Sequence, residues 1–168
     1  DMIAKATDGG PNTIGSGSRI SIVSFADSAT DDTGLSTSVA DLKATVNALI
    51  AEGQTNHCEA FATSMYVLGT PPENKKVMVI FTDGQTSTGP DPIAAATAAK
   101  DAGITIYAIG LAGSEGVDED VLNRWVSPPA AAHVAIAPTP EDIKQLFADL
   151  AANITKAGAT NIEIHDIV

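Results

Sequence analysis

The stretch Val77-Met78-Val79-Ile80-Phe81 runs without a polar residue between Lys76 and Thr82. A strand with one face in water alternates apolar and polar residues, so an unbroken run needs cover on both sides. That condition is met in a parallel sheet sandwiched between helices. Ile104–Gly110 (ITIYAIG) has the same character, and Arg19–Ala26 (RISIVSFA) adds a third apolar strand. Runs this short, bounded by polar and turn residues, read as strands rather than helices.

Helical periodicity fills the intervals. Ser38 and Asp41 form a capping-box-like pair ahead of Val39, Leu42, Val46, Leu49 and Ile50, which recur at spacings of three and four until Gly53. A second helix is expected from His57 to Leu68, burying Phe61, Met65 and Leu68, with Gly69 and Pro71-Pro72 to stop it. Asp91 and Pro92 open a third helix, which Gly103 follows, and Asp118 opens a fourth through Val121, Leu122 and Trp125. Ser28–Thr33 suits a short return strand and His133–Ala137 a last core strand. A closing helix begins at Thr139 with the stripe Ile143, Leu146, Phe147, Leu150 and Ile154. Residues 1–7 look like the last turns of an earlier helix. Alternation of this kind specifies an α/β fold: a doubly wound, mostly parallel, Rossmann-like sheet with helices on both faces.

Composition narrows the function. At 168 residues the chain has the length of one domain, and 44% hydrophobic against 18% charged residues argues for a packed core over disorder. A formal net charge of −12 repels phosphate backbones and anionic lipid, so nucleic acid and membrane surfaces are poor partners. The same excess keeps a domain soluble and suits a secreted or cell-wall protein. With Cys58 as the only cysteine, neither an internal disulfide nor an all-cysteine zinc site can form. No run approaches the ~20 apolar residues of a membrane span.

In open α/β sheets, ligands gather at the carboxyl ends of the strands. Two stretches put polar groups there: Gly53-Gln54-Thr55-Asn56-His57 before a helix, and Phe81-Thr82-Asp83-Gly84-Gln85 after the apolar strand. A hydroxyl and a carboxylate with no thiolate suit a hard cation such as Mg²⁺, Ca²⁺ or Mn²⁺. An Asp-Gly turn after a strand is equally a plain turn.

These two stretches resemble two of the three loops of the metal-ion-dependent adhesion site of von Willebrand factor A domains, and the element order is similar over residues 1 to about 156. The resemblance implies that Thr55 binds the cation through its hydroxyl and that Asp83 acts nearby, often through water. It implies a divalent cation, Mg²⁺ above the others, as cofactor. The third loop of the family, Asp-x-Ser-x-Ser after the first and central strand, has no counterpart in the sequence. The expectation is therefore a domain over residues 1–157 lacking its first strand, with an incomplete metal site. Two raw edges are expected at RISIVSFA and VMVIF. The tail Asn161–Val168 (NIEIHDIV) alternates like a strand, and residues 158–168 are expected to lead into another domain.

By the same resemblance, the chain is an adhesion module of a bacterial surface or pilus-tip protein, placed at the cell wall. Its partner is a protein ligand, in host extracellular matrix or another surface protein, that offers a carboxylate to the cation. An intracellular scaffold is the alternative. An enzyme is disfavoured: a haloacid-dehalogenase-like phosphatase needs a second Asp where Gln85 stands, and no nucleophile elbow or phosphate loop occurs. His57 is expected to give a supporting hydrogen bond rather than ligate. Cys58 and Trp125 are expected to pack, and Asp27, Asp31 and Asp32 to form a solvated turn. The sequon at Asn153 falls inside the closing helix and is discounted.

Overall fold

The computed structural model describes residues 18–50, 52–69, 75–111, 116–137 and 142, and the backbone of 161–166. The helices expected over residues 1–7 and from Thr139 onward lie outside the described residues, Asp142 excepted.

Six strands form one sheet. They are β1 (Arg19–Phe25), β2 (Ala29–Asp31), β3 (Lys76–Thr82), β4 (Ile104–Leu111), β5 (Val134–Ala137) and β6 (Asn161–Asp166). The spatial order is β2-β1-β6-β3-β4-β5. Only β2 runs antiparallel to its neighbour; the other pairs are parallel. The helices are α1 (Val39–Ala48), α2 (His57–Leu68), α3 (Ile93–Asp101) and α4 (Glu119–Trp125).

Each face of the sheet has its own core. On one, Ile20, Ile22, Val77, Val79, Phe81 and Ile109 pack under Val39 and Leu42 of α1. On the other, Met78, Ile80, Ile106 and Ala108 meet Phe61 of α2, Ala96 and Ala99 of α3, and Leu122 and Trp125 of α4. Successive residues of β3 thus serve opposite cores. Every one of its positions is buried, as an apolar run without alternation requires.

Local chemistry sets the helix ends. Ser38 Oγ accepts the amide of Asp41 at 3.2 Å, and Asp118 Oδ1 accepts that of Val121 at 3.0 Å. Helix α1 stops earlier than its apolar spacing suggests. Leu49 is already extended, and Ile50 is 77% exposed instead of facing the core. The stripe continued in sequence while the backbone had left the helix, so periodicity overstated it by two residues.

The centre of the sheet also differs from expectation. No raw edge faces the gap between β1 and β3, because β6 lies in it. Arg19 to Ser24 pair with Asn161 to Asp166, and Lys76 to Ile80 pair with Asn161 to His165. Unpaired amides and carbonyls on two interior edges would be costly, and a parallel strand between them satisfies both rows. The segment expected to lead away is, in the described backbone, the central strand.

Candidate functional site

Two loops converge at the carboxyl end of the sheet. One, Glu52–Asn56, joins α1 to α2; the other, from Asp83, joins β3 to α3. Thr55 stitches them together. Its amide donates to Ser87 Oγ at 2.7 Å, and its carbonyl accepts from the amides of Ser87 and Thr88 at 3.1 and 3.2 Å. Residues far apart in sequence thus share a short backbone ladder beyond the sheet.

Asn56 fastens this pair to the exit of β1. Its amide donates to the carbonyl of Ala26, its Nδ2 to that of Asp27, and its Oδ1 caps α2 by accepting from the amide of Glu59. Gly89 crosses so close to it that a Cβ there would lie 2.3 Å from Asn56 Oδ1, at a φ of +82°. Only glycine fits that crossing.

The aspartate loop has its own brace. Asp83 Oδ1 accepts the amide of Gln85 at 2.9 Å, and its carbonyl accepts the amide of Asp118 at 2.8 Å. Gly84 turns the chain at φ +86°, where a Cβ would sit 3.0 Å from the carbonyl oxygen of Asp118.

His57 lies directly beneath. It is fully buried, with Nε2 2.8 Å from Thr82 Oγ1 and Nδ1 2.7 Å from Thr86 Oγ1. Thr82 Oγ1 also accepts the amide of Gly84. A hydroxyl can donate or accept, so either neutral tautomer of the imidazole is satisfied. The ring packs 4.7 Å from Trp125 and 5.3 Å from Phe25, centroid to centroid. Helix α2 is in this way bolted to both ends of the turn that carries Asp83. The supporting role expected for His57 is what the geometry gives it.

Beside this turn lies a cavity of about 340 Å³ between the β3–α3 loop and α4, with Gly84, Gln85, Pro90, Asp118 and Val121 in its wall. Trp125 also lines it and packs as expected, fully buried, with Phe61 edge-on at 5.6 Å. Its indole nitrogen has no hydrogen-bond partner among the described residues. Cys58 is half-buried. The aspartates after β1 are not simply a solvated turn: Asp31 ends β2, its Oδ1 accepts from Ser21 Oγ and the amide of Gly34, and Asp32 Oδ2 accepts from the amide of Ser24.

Thr55 and Asp83 are both half-buried. The Thr55 hydroxyl makes no hydrogen bond among the described residues, and one oxygen of Asp83 is already engaged with Gln85. The donors are all oxygen, which fits a hard cation in kind, but a cation of this class takes about six to eight ligands. Among the described residues no three His, Cys, Asp or Glu side chains gather as a metal set. The bracing roles of Ser87, Asn56 and Asp118 escape a reading of the sequence, since nothing local marks a serine, an asparagine or a helix cap as a cross-loop partner.

The family model for the von Willebrand factor type A domain matches residues 5–149. Among solved structures, proximal thread matrix protein 1 from the mussel byssus is similar at 24% identity and a TM-score of 0.71, covering 89% of this chain and 37% of its own. The same protein with a zinc-occupied MIDAS motif gives a TM-score of 0.74 at 24% identity and the same coverage. The pilus adhesin SpaC from Lactobacillus rhamnosus GG reaches 0.72 at 12% identity, covering 93% of this chain and 27% of its own. At these identities the likeness is one of fold. The chain spans between about a quarter and just over a third of the length of these three chains. No curated protein matches the sequence.

Proposed function

The chain belongs to the von Willebrand factor type A domain family, and from that premise we propose that it is a cation-dependent protein-binding module of a bacterial cell-surface protein, with Thr55 and Asp83 as cation ligands. The observation that carries the proposal is the ladder between Thr55 and Ser87–Thr88, which holds the hydroxyl loop against the aspartate loop and leaves the Thr55 hydroxyl without a hydrogen bond among the described residues. Two resembling proteins give it context: one is a pilus adhesin, and one was solved with zinc in its MIDAS motif.

The residues divide the work. Thr55 offers a neutral oxygen and Asp83 a charged one, while His57, Thr82 and Gly84 fix the turn from below. A divalent cation held by these two oxygens, Mg²⁺ in this proposal, would leave coordination positions for a partner's Asp or Glu carboxylate and for water. The excess of acidic residues leaves the surface free of the positive field that would draw nucleic acid. No helix among the described residues is long and apolar enough to cross a membrane. Placement at the cell surface is part of the proposal.

Titration of the chain with Mn²⁺, followed by water-proton relaxation, tests it. Weak saturable binding is expected, in keeping with an incomplete set of protein ligands, reduced about tenfold by Thr55→Ala, a loss of ~1.4 kcal/mol, and abolished by Asp83→Ala. Identical binding by the parent and both variants, or none by the parent, overturns the assignment.

A further inference from the structure

Trp125, the only tryptophan in the chain, is fully buried, yet its indole N–H has no hydrogen-bond partner among the described residues. Buried donors are paired in all but a few cases, so an orphan in a packed core marks a place where a partner is missing. The ring is held from the interior by His57, 4.7 Å away centroid to centroid, and by Phe61 edge-on at 5.6 Å. Neither supplies the acceptor. Both His57 nitrogens are engaged with Thr82 and Thr86, and Phe61 has none to offer. The indole also lines the cavity between the β3–α3 loop and α4.

That cavity has the build of a small-molecule site. Its volume, about 340 Å³, lies in the range of ligand pockets, which combine apolar walls with a few placed polar groups. Pro90, Pro92 and Ile93 come from the loop and the start of α3, and Val121 and Trp125 from α4. Asp118, Val121 and Trp125 recur at intervals of three and four, so they share a face and the wall runs ~10 Å along the helix. The acidic groups in the wall are partly spent: Asp118 Oδ1 caps α4, and Asp91 Oδ1 accepts the amide of Ile93. Their charge opposes an anion, while a cation with donors alone brings nothing for the indole. Arg124 is exposed and bonded only to the carbonyl of Asp120 in its own helix, at 3.3 Å, among the described residues. It is the side chain of the wall best able to move aside.

We propose that this cavity binds a small uncharged carbonyl compound (an amide, ester or ketone), whose oxygen accepts from Trp125 Nε1 while its apolar body packs against Pro90, Pro92 and Val121. Arg124 yields to admit it. Binding pairs a buried donor and removes apolar wall from water, and these two gains drive it. Neither Thr55 nor Asp83 lines the cavity, so the site stands or falls apart from the proposed cation site.

Benzamide, benzoate and benzamidinium share one shape and differ at neutral pH in the head group: a neutral acceptor, an anion, and a cation with donors only. Each is titrated into the chain while the single indole N–H resonance is followed by NMR. Benzamide is expected to shift that resonance saturably, at one per chain, and to bind about fivefold or more tighter than either ion. Trp125→Phe keeps an aromatic ring but deletes the donor, and should remove the preference for benzamide in ligand-observed NMR. Because Trp125 belongs to the core, a second variant leaves it in place. Val121→Phe fills the cavity from the half-buried face of α4 and should abolish the benzamide shift while the circular dichroism stays that of the parent. An unmoved indole resonance, equal binding of the three probes, tighter binding of either ion, or undiminished benzamide binding by Val121→Phe overturns the proposal.

Discussion

β3 and β6 lie side by side, parallel and in register from Lys76–Asn161 to Ile80–His165, yet their residues describe different surroundings. β3 is apolar at every step from Val77 to Phe81 and buried throughout. β6 alternates Ile162 and Ile164 with Glu163 and His165. Backbone hydrogen bonding does not distinguish them, since any non-proline residue brings one donor and one acceptor to a ladder. The pattern of residues along each strand does. The contrast shows that backbone pairing admits to the central place a strand whose residues alternate as well as one that is apolar throughout.

The most damaging test of this contrast is to thin both strands in the same way. Ile80→Ala should cost about 2–5 kcal/mol by denaturant unfolding, because it empties a fully buried site in the larger core. Ile164→Ala should cost less than half of that. Equal losses would make β6 as integral to the fold as β3 and would end the distinction.

A middle-sized effect should separate the candidate site from β6. His57→Ala removes two hydrogen bonds, to Thr82 and Thr86, and a ring packed between Phe25 and Trp125. A loss of about 1–3 kcal/mol is expected, with faster hydrogen exchange at residues 83–88 and unchanged exchange at 161–166. Equal acceleration in both segments would show that the turn and β6 open together. The smallest effect belongs to Ile50, which lies beyond the end of α1 and is mostly exposed. Ile50→Ser should shift stability by no more than ~0.5 kcal/mol, whereas a larger loss would return it to the core that its spacing suggested.

Much of the molecule is legible from residues near one another in the chain. The apolar run at Val77–Phe81 required a two-sided sheet, and Ser38 and Asp118 marked helix starts through bonds that span only three residues. The His57–Leu68 helix has the limits its stop signals predict. Gly53–His57 and Thr82–Gln85 stood out as the candidate loops because strand ends and glycine hinges are local features.

What the sequence by itself determined is therefore the elements between Arg19 and Ala137 and their alternation, together with the two loops at the carboxyl end of the sheet as candidates. Tertiary structure alone decided three things. It closed the ladder that joins Thr55 to Ser87 and Thr88. It found His57 its two threonines, Thr82 and Thr86, and so gave a solitary histidine a definite task. It also seated Asn161–Asp166 between β1 and β3, against the expectation of two open edges. The reason is common to all three: capping and periodicity act over a few residues and leave a pattern in the chain, whereas a hydrogen bond between distant segments needs only a donor, an acceptor and proximity. Proximity exists once the sheet has formed, and no short stretch of sequence encodes it.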